Sequence, residues 1–406
     1  MFQRTFSRAL PLKLDLAPTQ RLSKTGLVLA FGLLLSCGLA AVQAQAAATG
    51  QRVRAASNPA DAIHDLELIL ERALSIQPDG DDGVTARTKI RTALAAVQTS
   101  FGALTSARNT RNQTGAVVLN AALDSDISGE TVPKFESLER VVDLIRQVAL
   151  LRPCESEFDG ELLAGILNAA LPLYRGESQA KISRWRNDWV DWDDGRIGSA
   201  IQFDLAQQIF KRRVRPLLGW QRVQTQALAG AVQSLDAQYS LTLTCLRAPR
   251  NVPVVYSTHS DQLDEVGRRL SEGDLQEKIR YRRKSCQVLA DGIGKATTSS
   301  DAPATAAWLN NARQVLFERV ENLIRQDLLP RRMFNEILSV SVEFAEKRPE
   351  GLTADSRARL FAYAAQCSFL RGDNKQAGHF FDRANYLAPG ILTQEDLRNL
   401  KAKSQP

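Results

Sequence analysis

The chain has 406 residues, 44% apolar and 24% charged, with 24 glycines and 15 prolines. This excludes global disorder, collagen-like repeats and Pro-rich filaments, and leaves room for two or three domains. The net charge of +7 is unevenly placed: Arg4, Arg8, Lys13, Arg21 and Lys24 against Asp15 put +4 into residues 1–44, so the remainder carries +3. A nucleic-acid partner argued from net charge thereby loses its main support.

Residues 1–26 are basic and polar, and Leu27–Val42 is an apolar run. It is shorter than the ~20 residues needed to span a bilayer. Val42-Gln43-Ala44 and Ala44-Gln45-Ala46 follow with the small-residue pattern of a cleavage site. Residues 1–44 are therefore expected to be a secretory signal peptide, giving a periplasmic or secreted bacterial chain with no membrane span after cleavage. Leu34-Leu35-Ser36-Cys37 resembles a bacterial lipoprotein cleavage box. That resemblance implies, as the alternative, a chain anchored through Cys37. Cys154, Cys245, Cys286 and Cys367 remain beyond the signal. An even count in an exported chain suggests disulfides, and four cysteines allow three pairings. Sequence order favours Cys154–Cys245 and Cys286–Cys367. The absence of C-x-x-C excludes zinc-ribbon, thioredoxin-like and c-type haem sites.

Residues 45–57 read as a polar linker. Asn58-Pro59 opens the first helix with a capping residue and a proline at the first helical position. Ile63, Leu66, Ile69 and Leu70 follow at helical spacing. Gln77–Gly83 breaks that helix. A second is expected from Val84 to Ala107 and a third from Pro133 to Leu151. The middle begins at Cys154, with helices over Leu162–Tyr174, Ser178–Trp192, Ile197–Val214 and Leu217–Ala237. Asn251–Ser257 reads as an isolated extended stretch, because a single strand cannot make a sheet. Helices over Asp261–Leu270 and Asp274–Leu289 close a region of 58–291. Residues 292–305, small and polar, read as a linker. The C-terminal region, 306–406, resumes with helices over Ala306–Leu328 and Arg331–Lys347. The expected fold class is all-α, a multi-helix bundle or superhelix with a C-terminal helical hairpin and a capping helix.

In that hairpin Ala365 is a small residue on the first helix and Gly372 lies between the helices. Ala377, Phe381 and Ala384 share a face of the second helix, and Pro389 ends the unit. With Phe361 where tryptophan is usual, residues 358–391 resemble a tetratricopeptide repeat, a helix–turn–helix of 34 residues. The resemblance implies close helix packing at Ala365 and Ala377, with Phe381 in the groove between the helices. It also implies a role in protein–protein contact. Thr393-Gln394-Glu395-Asp396 then starts the capping helix.

Candidate chemistry is sparse. His64, His259 and His379 are far apart in sequence, and no P-loop, G-x-S-x-G or G-x-G-x-x-G occurs. No metal site or cofactor is expected. Glu155-Ser156-Glu157-Phe158 resembles the start of the lytic transglycosylase signature. It implies Glu155 as general acid of a peptidoglycan-acting enzyme, although the Gly-Leu-Met-Gln segment of that family is missing. Trp185, Trp189 and Trp192 alternate with carboxylates, as on a sugar-binding platform. Their spacing with Ile182 places all four on one helical face, as in a buried stripe. The basic runs Lys211–Arg215 and Arg280–Lys284 read as solvated helix ends. The reading that follows is a non-catalytic envelope scaffold or assembly factor. Its partners are other envelope proteins, or a cell-wall or exopolysaccharide glycan, and no nucleic acid.

Overall fold

The computed structural model describes residues 58–75, 81–113, 132–152, 157–219, 225–298 and 302–396. All belong to one compact unit, Ser57–Pro406. The expected signal peptide with Cys37, and the motif residues Cys154 and Glu155, lie outside the described residues. Among the described residues every regular element is helical, so the chain is all-α. None of these helices is long and apolar enough to cross a membrane.

The elements are α1 (Pro59–Ser75), α2 (Asp81–Gln113), α3 (Phe135–Leu151), α4 (Glu157–Ala170), α5 (Gly176–Trp185), α6 (Ile197–Ile209), α7 (Thr225–Cys245), α8 (Val252–Arg269), α9 (Leu275–Thr297), α10 (Ala302–Asn322), α11 (Phe334–Val342), α12 (Ala354–Leu370) and α13 (Asn374–Leu387). Four of them continue into π-helical stretches: α5 into Arg186–Asp191, α6 into Phe210–Val214, α10 into Leu323–Leu328 and α11 into Glu343–Lys347. The first helix starts as its sequence dictates, with Asn58 Oδ1 accepting from the Ala60 amide at 3.2 Å.

The helices bury three apolar cores. Helices α1–α5 form the first around Leu66, Phe101, Leu138 and Leu167. The α6–α8 region forms the second around Leu228, Leu235, Tyr239 and Leu263. Helices α9–α13 form the third around Leu316, Phe344 and Phe361. Burying one such side chain stabilises the fold by about 2 kcal/mol. Helices α8 and α9 lie along each other where small residues recur. A Cβ at Gly292 would stand 2.6 Å from the Tyr256 Cβ, and one at Gly267 would stand 2.4 Å from the Arg282 Cγ. Between these two points Ser285 donates to the Ser260 carbonyl and Ser260 to the Ser285 carbonyl, each at 2.8 Å.

The structure corrects several sequence expectations. Asn251–Ser257 is not extended: Pro253 sits in the first turn of α8, where its missing N–H has no helical role. Val255, His259, Leu263 and Val266 are then buried at helical spacing. Residues 292–297 are not linker but the last turns of α9, with Gly292, Ile293 and Ala296 buried. Their small side chains serve close packing, not flexibility. Cys286 and Cys367 are free thiols, not a bridge; both fill space in the third core as small apolar side chains. Cys245 is disulfide-bonded, while its expected partner, Cys154, is outside the described residues.

The tryptophans do not form one stripe. The π-helical stretch Arg186–Asp191 adds a residue to the turn and divides them. Trp185 stacks on Phe135 at 5.8 Å and on Trp189 at 6.5 Å, against the first core. Trp192 stacks instead on Phe203 at 5.0 Å, in the second core. The helix then stops at Asp194 and Gly195, both at positive φ (51° and 87°). The Asp193 carboxylate, 0% exposed, fixes this turn by accepting from the Ala248 amide at 2.7 Å and from the Arg247 amide and the Ser199 hydroxyl.

Candidate functional site

The C-terminal hairpin forms from local signals. Thr353 Oγ1 accepts from the Ser356 amide at 3.2 Å and starts α12. Gly372, at φ +81°, makes the turn, a conformation that a side chain would strain. Asp373 then caps α13 by accepting from the Gln376 amide at 3.0 Å. Phe361, Ala365, Ala377 and Ala384 are buried between the helices. The groove they leave is filled by Phe380, 5% exposed and stacked on Phe361 at 6.1 Å. Phe381, expected there, is half-buried at the edge of the core, and Pro389 is exposed beyond the end of α13. After the hairpin, Thr393 and Asp396 bond reciprocally: the Asp396 amide donates to Thr393 Oγ1 at 3.1 Å, and the Thr393 amide to Asp396 Oδ2 at 2.8 Å. This is the start expected for the capping helix.

Between α11 and α13 lies an open groove of about 700 Å³. Leu338, Val342 and Phe380 form its apolar floor, with Lys347, Lys375 and His379 around it. The π-helical stretch Glu343–Lys347 follows α11 at the edge of this floor. That stretch turns Phe344 and Ala345 into the core and leaves Glu346 and Lys347 outward. Glu346 is ion-paired with Arg383, whose guanidinium also sits 5.0 Å over the Phe361 ring. Seven residues beyond His379, and so on the same side of α13, Tyr386 is 86% exposed. The groove thus offers an apolar strip edged by Lys347, Lys375, His379 and the Asp373 carboxylate, with an exposed aromatic ring farther along α13. Sequence pattern alone missed it, because its two walls come from helices 40 residues apart.

A second polar cluster joins α7, α8 and α9. His259 Nε2 is 2.9 Å from Asp236 Oδ1, and its ring stacks on Tyr239 at 4.3 Å. Lys284 is ion-paired with the same carboxylate, and the Tyr239 hydroxyl donates to Gln262 at 3.0 Å. Burial pushes the Asp236 carboxyl up, but the bonds from His259 and Lys284 outweigh it and hold the group below its ordinary value. A histidine oriented by an aspartate can act as a base when a hydroxyl meets its other nitrogen. The adjacent Ser260 hydroxyl instead joins Ser285 and accepts from Arg319 at 2.6 Å. This cluster therefore ties helices together.

The basic run on α9 also turns inward. Tyr281 is 2% exposed and Arg282 5%. Arg282 pairs with Asp327 and Arg283 with Glu343. Lys278, one turn earlier, reaches Asp327 at 3.1 Å and Glu272 at 3.0 Å. These are internal ties, not the solvated helix end expected from sequence. Trp185 stacks on both Phe135 and Trp189, so its ring faces are spent within the fold and not presented as a platform for a sugar ring. Among the described residues no group of three or more His, Cys, Asp or Glu side chains could hold a metal ion. The chain matches no known family model, no curated protein and no solved structure.

Proposed function

We propose that the protein is an exported, non-catalytic envelope scaffold that helps to assemble a larger complex. Its repeat-like C-terminal hairpin would hold a partner protein in the groove between α11 and α13. The observation that carries this reading is the groove itself, whose apolar floor of Leu338, Val342 and Phe380 lies open beside Lys347 and Lys375, with the exposed Tyr386 farther along the same side of α13. Exposed aromatic residues beside apolar pockets are the usual anchors of protein interfaces. The basic, apolar and small-residue segments at the N-terminus support export, and the Cys154–Cys245 pairing would suit an oxidising compartment.

The test is affinity purification from the envelope fraction, comparing wild type with a Lys375→Glu, Tyr386→Ala variant. Both residues are exposed, so the fold should persist. The expected result is a partner held by wild type and lost from the variant, since an aromatic anchor contributes about 2 kcal/mol or more. An identical set of co-purifying proteins would count against the groove. Clearance of cell-wall material by wild type but not by Glu155→Gln would overturn the non-catalytic reading. A mature chain that still begins at Met1 would overturn export.

A further inference from the structure

The cations of the α9 run face carboxylates. Lys211, Arg212 and Arg213 do not. They are consecutive on the π-helical stretch Phe210–Val214, which buries Phe210 and Val214 in the second core and leaves the three cations exposed. None of the three is ion-paired among the described residues. Arg215 follows, 3.2 Å from Glu265, and the same Glu265 oxygen is 2.9 Å from Arg269 at the end of α8. Arg215 and Arg269 therefore share the Glu265 carboxylate, and Lys211, Arg212 and Arg213 beside Arg215 in sequence add three charges that no described carboxylate neutralises.

We infer that this turn is a docking face for an anionic phospholipid bilayer. The cations stand on the outside of a helical turn, not in a cleft, so they cannot enclose a small anion. A complementary partner must itself be extended and carry many negative charges. Guanidinium groups pair well with phosphate oxygens, which a bilayer presents as a continuous array. The ring within this stretch, Phe210, is 5% exposed, so the turn presents no stacking surface of its own for bases or sugars. Attachment through a few cations without an inserted apolar anchor is reversible and weakened by salt.

The test uses the protein as purified from its host. It is mixed with phosphatidylcholine vesicles containing ~30 mol% phosphatidylglycerol, or with phosphatidylcholine alone. Each surface cation contributes about fivefold in partitioning, so Lys211→Gln, Arg212→Gln, Arg213→Gln should weaken sedimentation with the anionic vesicles on the order of a hundredfold. A charge-matched variant, Lys134→Gln, Arg175→Gln, Arg184→Gln, should keep the wild-type value. Acetylation followed by mass spectrometry gives a local readout that is independent of the N-terminal segment. Anionic vesicles should protect Lys211 but not Lys134 or Lys295. An unchanged melting temperature would show that the Lys211–Arg213 variant is folded. Equal sedimentation with both vesicle types, equal loss in both variants, or Lys211 protected by an acidic polysaccharide or DNA but not by vesicles would each overturn the inference.

Discussion

Asp327→Asn tests the buried charges that fix α9. Asp327 is 2% exposed and meets Arg282, 5% exposed, and Lys278. Lys278 keeps a second partner in Glu272 at 3.0 Å. Among the described residues Arg282 then retains only Asp264, 3.8 Å away and already 2.9 Å from Arg268. Removing the Asp327 charge leaves the Arg282 guanidinium buried beside one distant, shared carboxylate. Breaking a buried pair from one side costs about 3–5 kcal/mol, and the Asp264 contact places this case near the lower end, about 3 kcal/mol. With a urea slope of about 3 kcal/mol/M, the midpoint should fall by about 1 M at unchanged slope. Replacing both partners, as Arg282→Met with Asp327→Leu, removes the stranded charge and should cost less than Asp327→Asn alone. Urea titrations followed by circular dichroism on the three proteins decide it. An unmoved midpoint for Asp327→Asn, or a double variant less stable than the single, would refute the reasoning.

Gly292→Ala should destabilise by about 1–3 kcal/mol, because its new methyl meets the Tyr256 Cβ at 2.6 Å; a melting temperature equal to wild type would argue against the tight α8–α9 approach. The depressed Asp236 pKa contributes stability that is present above the unfolded carboxylate value of about 4 and lost as pH falls through the folded one. Melting curves from pH 7 to 3 should therefore fall more steeply for wild type than for Asp236→Asn, and parallel curves would exclude this source. Burial pushes the Cys286 and Cys367 thiols up to about 12. Neither should react with iodoacetamide at pH 8 until the protein is unfolded, as peptide mapping will show; rapid labelling of the folded protein would contradict their burial.

The first helix was legible because Asn58 and Pro59 signal its start within two residues. The C-terminal hairpin was legible because Gly372 and the alanines that flank it satisfy local rules of turn and packing. Asn251–Ser257 was misread because its β-branched residues suit a strand, although the period that buries Val255, His259, Leu263 and Val266 continues well past the segment. Gly292–Thr297 was misread because small residues look alike whether they serve a flexible joint or a close approach, and only Tyr256, on another helix, distinguishes the two. The charges of α9 were misread for a similar reason. Arg282, Arg283 and Lys284 find their carboxylates at Asp327, Glu343 and Asp236, none of them nearby in sequence. The groove between α11 and α13 left no sequence signal of its own, since no periodic pattern names which two helices will stand side by side.

A regular α-helix has a fixed phase: once one residue points into a core, the direction of every later residue follows. A π-helical stretch resets that phase without breaking the rod. The Arg186–Asp191 stretch does this between Trp189 and Trp192, so one rod ends as a wall shared by two interiors. At Phe210–Val214 the same reset holds two apolar residues inward while the cations between them point out. Inserting or deleting one residue in such a stretch would rotate everything downstream by roughly 100°. The seams between these cores should therefore accept changes of side chain far more readily than changes of length.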